Sequence, residues 1–276
     1  MSPQKVAVVT GSSSGIGYEI SLILARNGFL TYATMRNPEK GANLKSIAEK
    51  EKLPIRVVQL DVTDDNSTAK AVQTVLNEAD RIDVLVNNAG YGLMGAFEDL
   101  AIDEIKSQYE TNVFGLIRTT QAVLPAMRRQ RSGIIVNISS GAGRFGYPAA
   151  SAYVSTKFAV EGLSESLSFE VEPFGIRVVL IEPGMISTNF FSSVAIAKKS
   201  LSPDSAYSQM VKAMEETAGK LMQNASSPEL VARIVLDAVT SKDPKLRYQA
   251  GKDVEQWVES KKKMSDEEFH SMMKQT

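Results

Sequence analysis

A tyrosine and a lysine one helical turn apart, preceded by a serine, form the most reactive set of side chains in the sequence. Tyr153 and Lys157 have i, i+4 spacing, which places both on one face of a helix. A phenol has an ordinary pKa of about 10, and a neighbouring cation favours tyrosinate and lowers that pKa. Ser140 could donate a hydrogen bond to a carbonyl oxygen while Tyr153 exchanges a proton. The set predicts acid–base chemistry, although a packed ring beside a solvated amine has the same spacing.

A glycine-rich segment near the N-terminus could bind a diphosphate. It reads Thr10-Gly-Ser-Ser-Ser-Gly-Ile-Gly17 and lies between a strand pattern and a helical pattern. Backbone N–H groups at a helix start can face a pyrophosphate, and glycine is needed where a side chain would block its approach. A plain turn has a similar composition, so the flanking strand and helix support this interpretation. The candidate contacts are Gly11, Ser13, Ser14, Gly15, Ile16 and Gly17.

Arg36 follows the second strand pattern, where the ribose of a bound adenosine would lie. A NAD site usually carries an acidic residue at this point, which accepts a hydrogen bond from the ribose 2′-hydroxyl. The sequence has Met35-Arg36 instead, and an arginine would pair with a 2′-phosphate. We therefore predict NADP(H) as cofactor, without excluding NAD(H). The alternative is a solvated arginine in a loop.

The elements that must position these residues alternate along the chain. Short β-branched runs are followed by longer amphipathic stretches, which predicts an α/β fold with a doubly wound, Rossmann-type parallel sheet of about seven strands flanked by helices. The predicted strands are Val6–Val9, Thr31–Met35, Ile55–Leu60, Val84–Val86, Ile134–Ile138, Val178–Ile181 and Arg247–Gln249. The predicted helices are Ile16–Asn27, Glu39–Lys52, Asp65–Asp80, Ile102–Gln130, Ala152–Pro173 and Pro228–Ser241.

The length of 276 residues suits one large domain. We predict a single catalytic domain over 1–251. It includes a helical substrate lid at about 185–227, where the alternation stops without a strand signal. Residues 252–276 are a highly charged C-terminal tail, whose end we expect to be weakly ordered.

Composition excludes several kinds of function. The chain has no cysteine and one histidine, which excludes disulfides and thiolate chemistry and argues against a metal site. A net charge of -1 gives no bulk attraction to nucleic acid or to an anionic membrane. The apolar run at the N-terminus is too short for a signal peptide or a membrane span. We therefore expect a cytoplasmic protein that acts on a small molecule.

An ordered series of motifs resembles the short-chain dehydrogenase/reductase family across nearly the whole chain. Within that family the sequence is most similar to the hydroxysteroid and retinol dehydrogenase-like branch, given Ala89-Gly-Tyr-Gly92 and the residues that follow Lys157. The motifs are Thr10–Gly17, Asp61-Val62, Asn87-Asn-Ala-Gly90, Asn112, Ser140, Tyr153-Val-Ser-Thr-Lys157, and Pro183-Gly184 with Thr188.

The resemblance implies roles for these positions. The catalytic set would be Asn112, Ser140, Tyr153 and Lys157, with the backbone carbonyl of Asn112 holding a water linked to the lysine. Asn87 would stabilise the central sheet. The further cofactor contacts would be Asp61 and Val62 at the adenine, Asn88, Ala89 and Gly90 in the cleft, Tyr153 and Lys157, and Pro183, Gly184, Ile186 and Thr188 near the nicotinamide. Relatives pair through the two long helices, which implies a homodimer or homotetramer.

The expected reaction is hydride transfer between NADP(H) and a largely apolar ketone or secondary alcohol. Candidate substrate contacts are Leu93, Phe145, Tyr147, Met185 and Phe190. Arg144 could instead accept an anionic group, which keeps a 3-oxoacyl thioester reductase open as an alternative. An epimerase or dehydratase and a non-catalytic nucleotide-sensing protein on the same fold are further alternatives.

Overall fold

The apolar runs of the sequence form parallel strands. The computed structural model describes residues 3–188 and 194–275. The strands are β1 (Val6–Val9), β2 (Leu30–Met35), β3 (Ile55–Gln59), β4 (Val84–Asn87), β5 (Leu93–Met94), β6 (Gly133–Ile138), β7 (Ile176–Pro183), β8 (Ala195–Ile196) and β9 (Arg247–Ala250). In the described residues seven strands pair in the order β3-β2-β1-β4-β6-β7-β9, and β5 pairs with β8. The predicted seven-stranded parallel sheet is confirmed.

Helices cover both faces of this sheet. They are α1 (Gly15–Arg26), α2 (Ala42–Glu51), α3 (Asp65–Ala79), α4 (Ile102–Tyr109), α5 (Gly115–Gln130), α6 (Ser151–Val171), α7 (Ser208–Met222), α8 (Pro228–Thr240), α9 (Lys252–Lys263) and α10 (Asp266–Gln275). Side chains alternate along β1, so that Ala7 and Val9 pack with α1 and α8 on one face. Val6 and Val8 pack with α3, α5 and α6 on the other. Both faces are buried, as the continuous apolar strand patterns predict.

The strand order reverses direction beside β1, whose neighbours are β2 and β4. In open α/β sheets a ligand crevice forms at such a point, outside the carboxyl ends of the strands. Both the glycine-rich segment after β1 and the Asn88-Ala89-Gly90 segment after β4 begin there. The topology thus brings two sequence motifs to one edge of the sheet.

A polar ladder in the sheet centre joins two strands to two helices. Asn87 Nδ2 donates to Asn137 Oδ1 at 2.9 Å and to Thr120 Oγ1 at 2.9 Å. Thr119 Oγ1 donates to Asn87 Oδ1 at 2.6 Å, and Asn137 Nδ2 donates to Ser164 Oγ at 2.8 Å. Because each of these side chains has a hydrogen-bond partner, burial of this polar network need not lower the free energy of unfolding.

The predicted helix Ile102–Gln130 is divided into two. A π-helical turn over Glu110–Phe114 separates α4 from α5, and Asn112 lies within it. The N–H of Gly115 donates to the carbonyl of Glu110, five residues earlier. Turns of this kind are rare and occur frequently at functional sites.

The predicted lid contains a strand as well as a helix. β8 pairs in parallel with β5, so Ala195 lies opposite Leu93, and α7 follows. The buried carboxylate of Asp99 anchors this segment, accepting from Ser200 Oγ at 2.9 Å and from Ser205 Oγ at 2.5 Å. A two-residue strand gives no periodic signal in sequence, which is why it was not predicted.

The charged C-terminal segment forms two helices, α9 and α10. Val254, Val258 and Phe269 are buried together with Phe145. Burial of this apolar surface stabilises the two helices despite their high charge. In the described residues, none of the helices has the length and apolar character needed to cross a membrane.

Candidate active site

The glycine-rich turn is held against the loop that follows β4. Asn88 Nδ2 donates to the carbonyl oxygens of Thr10 at 2.9 Å and of Gly11 at 3.1 Å. Gly11 has a φ of +68°, and a Cβ there would lie 2.9 Å from Ala89 Cα. A Cβ at Gly17 would lie 2.4 Å from Asn88 Nδ2. Larger residues would separate the two loops, so the turn requires glycine.

The N-terminus of α1 is open to an anion. Ser14 is its N-cap but makes no side-chain capping hydrogen bond, and the first turn has no acidic residue. The backbone N–H groups and the positive end of the helix dipole therefore suit a phosphate. Thr188 lies over this turn, 3.4 Å from the position of a Cβ on Gly15.

One cavity of about 1720 Å³ runs along this edge of the sheet and reaches the lid. Gly17 and Asn112 do not line it. The predicted site residues that do are Gly11, Ser13, Ser14, Gly15, Ile16, Arg36, Asp61, Val62, Asn88, Ala89, Gly90, Ser140, Phe145, Tyr147, Tyr153, Lys157, Pro183, Gly184, Met185, Ile186 and Thr188. Arg36 directly follows β2 and is exposed. Asp61 Oδ1 accepts from the N–H of Thr63 at 3.0 Å, which orients its carboxylate.

Asn112 holds the loop after β4 against α6. Its side-chain oxygen accepts from the N–H of Tyr91 at 3.0 Å, and its Nδ2 donates to the carbonyl of Tyr91 at 2.9 Å. Nδ2 also approaches Thr156 Oγ1 at 3.3 Å. The side chain of Asn112 is thus fully engaged in structure, which leaves its main chain for any contact with a water.

Ser140, Tyr153 and Lys157 meet on one wall of the cavity. Ser140 begins a 3₁₀ turn after β6, and its Oγ accepts from the N–H of Ala142 at 3.2 Å. Tyr153 and Lys157 lie on the first turns of α6, and both are buried. Lys157 Nζ lies 5.7 Å from the centre of the Tyr153 ring and donates to the carbonyl of Ile138 at 2.9 Å.

The protonation of this wall differs from the sequence-based expectation. Burial raises the pKa of Tyr153 to about 12, against a smaller lowering by a hydrogen bond with Ser140. Burial also lowers the pKa of Lys157 to about 8, while the carboxylate of Glu161 opposes that shift. The expected lowering of the Tyr153 pKa by Lys157 is therefore wrong for this structure. Desolvation disfavours the charged form of each side chain and is the largest effect on both pKa values.

Three of the predicted substrate contacts line the cavity, and one does not. Phe145, Tyr147 and Met185 face it. Leu93 is buried beside Leu100, Ala152 and Ala197, away from the cavity, because its strand pairs with β8. Neighbouring Met94 lines the cavity instead. Phe190 lies outside the described residues.

Sequence reasoning missed much of the apolar lining. The spacing of the apolar residues in α7 is typical of one helical face, and the C-terminal segment has i, i+3, i+4 spacing at Val254, Trp257 and Val258. These two patterns could have indicated that α7 and the C-terminal segment each bury an apolar face. The missed apolar lining residues include Val194, Ile196, Met210, Ala213, Met214, Leu221 and Met222 of the lid, with Trp257 and Met273 of the C-terminal helices.

Arg144 does not face the cavity. Its Nη1 pairs with Glu182 Oε1 at 2.8 Å, and the Glu182 carboxylate is fully buried. The expectation that Arg144 could receive an anionic substrate group is therefore wrong, because its charge already has a buried partner. Arg144 was the residue that favoured an acyl thioester substrate, so it no longer supports that alternative.

The cavity fits a nicotinamide dinucleotide. The glycine turn and the open helix start suit a diphosphate, and Arg36 and Asp61 flank the region expected for adenosine. The serine, tyrosine and lysine line the same cavity, as does Pro183. Such an arrangement could bind a dinucleotide and exchange a proton with a second molecule beside it.

Known oxidoreductases match most of the chain. An uncharacterized oxidoreductase of Bacillus subtilis is 41% identical over 255 residues, which are 91% of this chain and 90% of the relative. Retinol dehydrogenase 8 of Bos taurus is 35% identical over 252 residues, covering 88% of this chain and 80% of the relative. The human 17-beta-hydroxysteroid dehydrogenase type 1 is 35% identical over 252 residues, covering 88% and 76%.

Solved structures agree with this kinship. A short-chain dehydrogenase from Streptomyces avermitilis has a TM-score of 0.84 and 36% identity, covering 94% of this chain and 92% of that chain. A serine dehydrogenase complexed with NADP+ has a TM-score of 0.75 and 28% identity, covering 88% and 93%. A sequence model described as short chain dehydrogenase matches residues 5–199. With that match and oxidoreductases aligned along most of its length, the chain belongs to the short chain dehydrogenase family.

Proposed function

We propose that the protein interconverts a ketone and a secondary alcohol with NADP(H), using Tyr153 as the general acid and base. One observation carries the proposal: Ser140, Tyr153 and Lys157 share a buried wall of the cavity that begins at the glycine turn. The chemistry of that wall matches the family to which the chain belongs. Oxidation and reduction use the same groups in reverse order.

Each side chain has a distinct task. The bound cofactor supplies or accepts the hydride. Ser140 donates a hydrogen bond to the substrate oxygen, and Tyr153 transfers the proton. Lys157 holds the nicotinamide ribose and places positive charge beside the phenol. The backbone carbonyl of Asn112 holds a water that returns protons to the lysine, as the family resemblance implies.

The protonation of Tyr153 favours the reductive direction at neutral pH. With its pKa near 12, the phenol is protonated and able to donate. Oxidation requires tyrosinate, so its rate should rise with pH until the phenol titrates. The charge of Lys157 is needed in both directions.

The cavity lining supports a largely apolar substrate. The lid helix α7 directs Met210, Met214 and Leu221 at the cavity, and Trp257 and Met273 line it from the C-terminal helices. An apolar surface of this kind stabilises an apolar ligand by about 25 cal/mol per Å² buried. It offers few partners to the hydroxyls of a sugar. The names of two relatives, a retinol and a hydroxysteroid dehydrogenase, agree with such a substrate.

A homodimer or homotetramer is part of the proposal. Phe158 and Phe169 are large apolar residues that remain exposed on α6. Their i, i+11 spacing places them on one helical face. Phe114, at the start of α5, is exposed as well. Exposed apolar faces of this kind favour a symmetric partner.

The first experiment is Tyr153→Phe, which removes the proton and keeps the ring. Turnover of apolar ketones with NADPH should fall by about 10²–10⁴-fold, the usual contribution of a general acid. The dissociation constant for NADPH, measured by fluorescence, should change little. Tyr147→Phe removes another phenol from the same cavity and should cost far less. Turnover of the Tyr153 variant within a few-fold of the parent would remove Tyr153 from the mechanism.

Panels of substrates separate this proposal from its rivals. Stoichiometric consumption of NADPH identifies a reductase, whereas cofactor binding without consumption would favour a nucleotide sensor. Product formed without net change in the cofactor would favour an epimerase or dehydratase.

The second experiment is Arg36→Asp, which tests cofactor choice. An arginine–phosphate contact contributes roughly 1.5–3 kcal/mol, or about ten- to a hundred-fold in affinity. The variant should lose that much affinity for NADPH, while the ratio of kcat/KM values moves toward NADH. Arg56→Asp is the matched control, since Arg56 is also exposed but lies on β3 and does not line the cavity. A parent enzyme that already prefers NADH would contradict the role of Arg36.

A further inference from the structure

Four charged side chains, buried or half-buried, form a connected group near Ser140 and Lys157. The proposed reaction does not use them. Arg144 Nη1 lies 2.8 Å from Glu182 Oε1, and Arg247 Nε lies 2.9 Å from Glu161 Oε2. Arg247 Nε is also 3.6 Å from Glu182 Oε1, which joins the two pairs. We call Arg144, Glu161, Glu182 and Arg247 the buried ion cluster. The carboxylate side chains are 8% and 0% exposed, respectively.

A contribution to the stability of the fold is a weak explanation for the presence of the buried ion cluster. Removing opposite charges from water costs about as much as their attraction returns, so an apolar replacement is often equally stable. Charges buried beside a reactive cleft are a sign that they control the electrostatics of that cleft. The question is which reactive group they act on.

Glu161 is the member that adjoins the catalytic wall. It follows Lys157 by one turn of α6, on the same helical face. Gly143, in the turn that Ser140 begins, packs on this face. A Cβ on Gly143 would lie 2.8 Å from Glu161 Cγ and 3.2 Å from the carbonyl oxygen of Lys157. Glu161 is therefore held close to both the serine turn and the lysine.

Among the described residues, one carboxylate acts on the charge of Lys157. Burial lowers the pKa of Lys157, and the charge of Glu161 opposes this effect. The other groups at Nζ are the Tyr153 ring at 5.7 Å and the carbonyl of Ile138 at 2.9 Å. Neither the neutral phenol nor the carbonyl carries a formal charge that could replace the carboxylate.

Three neighbouring groups act on Glu161 from other elements. Burial raises the pKa of Glu161, and the carboxylate of Glu182 on β7 raises it further. The nearby hydroxyl of Ser139 after β6 and the guanidinium of Arg247 on β9 lower it. Arg247 thus favours the ionised form of Glu161, the form that attracts an ammonium group.

We propose that Glu161 is a positioning residue that maintains the charged form of Lys157, with Arg247 keeping Glu161 ionised. The inference rests on the proposed role of Lys157 as a cation in the site. Its primary test follows the protonation of Lys157 directly and needs no turnover, so it stands apart from the test of the proposed function.

The test is an NMR titration of the full, cofactor-free chain labelled with ¹³C at the lysine Cε. The Lys157 signal is assigned by its loss in Lys157→Met and is expected to titrate near pH 8 in the parent. Glu161→Gln should lower this midpoint by about one pH unit, the effect of removing one nearby opposite charge. Glu165→Gln is the matched control, because Glu165 pairs with the same Arg247 at 2.5 Å but is half-exposed. Its midpoint should stay at the parent value.

Two further variants keep the test decisive. Glu161→Asp retains the charge and should keep the midpoint within a few tenths of a unit of the parent. Glu161→Leu, for use if the glutamine variant does not fold, should shift the midpoint as Glu161→Gln does. In the reductase assay, the alkaline limb of kcat should move to lower pH in Glu161→Gln and Glu161→Leu, and should stay in place in Glu161→Asp and Glu165→Gln.

Three results would overturn the proposal. The first is an unchanged Lys157 midpoint in Glu161→Gln, and the second is an equal shift in Glu165→Gln. The third is failure of both Glu161→Gln and Glu161→Leu to fold, which would assign Glu161 a purely structural role.

Discussion

Lys157 carries its charge in a buried position, and that should destabilise the fold. Its pKa is about 8 in the folded protein, against 10.5 for an ordinary lysine. The unfolded chain therefore binds more protons between these values, and stability rises with pH across that window. Below it the cost is constant, at about 3 kcal/mol from the usual 1.36 kcal/mol per pKa unit.

We therefore expect Lys157→Met to be more stable than the parent at pH 7, by up to about 3 kcal/mol. This figure already includes the attraction between Lys157 and Glu161, because that attraction contributes to the pKa of Lys157. The difference should shrink as pH rises from 8 toward 10.5. Urea denaturation at several pH values measures it, with Lys212→Met as the control at an exposed lysine of α7. A gain that does not depend on pH would contradict the buried-charge explanation.

Among the secondary-structure elements, α9 and α10 join the segment that follows β7 to the lining of the cavity. The N–H of Met185 donates to Asp253 Oδ2 at 2.7 Å. Phe145 packs edge-on against Trp257 and Phe269, with ring centres 5.7 Å apart in both pairs. These helices lie beyond the matched range 5–199. Their packing makes the charged C-terminal segment a wall of the proposed substrate site.

Trp257→Ala should weaken bulky apolar ketones selectively. Loss of roughly 50 Å² of apolar contact, at about 25 cal/mol per Å², corresponds to roughly a tenfold rise in KM. Small ketones should change much less, because they do not reach the indole. The measurement is kcat/KM for ketones of increasing size. Gln256→Ala is the control on the exposed side of the same helix. Equal losses for small and large ketones would show that Trp257 supports the fold and not selectivity.

At the scale of the whole molecule, the apolar face of α6 predicts self-association. Phe169 is 71% exposed and Phe158 is 46% exposed, although both are large apolar side chains. In an isologous interface the same face of both copies is in contact, so Phe158 and Phe169 of each copy would become buried. Phe169→Glu places a charge in that interface and should raise the fraction of monomer in light scattering. Leu201→Glu changes an exposed residue of the lid and should not. A parent protein that is monomeric at high concentration would contradict the predicted oligomer. The cytoplasmic location of the protein also stays a prediction.

The succession of strands and helices along the chain, and the candidate residues for the chemistry, could be predicted from the sequence. Strand and helix patterns depend on local alternation of apolar residues, which can be read without knowing the fold. The glycine turn and the Tyr153-Lys157 pair are short, so their geometry follows from a few bonds. Patterns of one or two residues, such as β5 and β8, were beyond this reasoning.

Which distant side chains meet, and how deeply each is buried, follows from the folding of the whole chain. Arg144 and Glu182 pair across two elements, so the sequence left Arg144 free to face the substrate. The high pKa of Tyr153 comes mainly from burial, and burial is a property of the packed whole. The C-terminal wall follows the same rule, because a charged segment reveals its apolar face only when another surface covers it. Short motifs can be recognised from residues that are close in sequence. Charge states and the walls of the cavity depend on contacts between residues that are far apart in the chain.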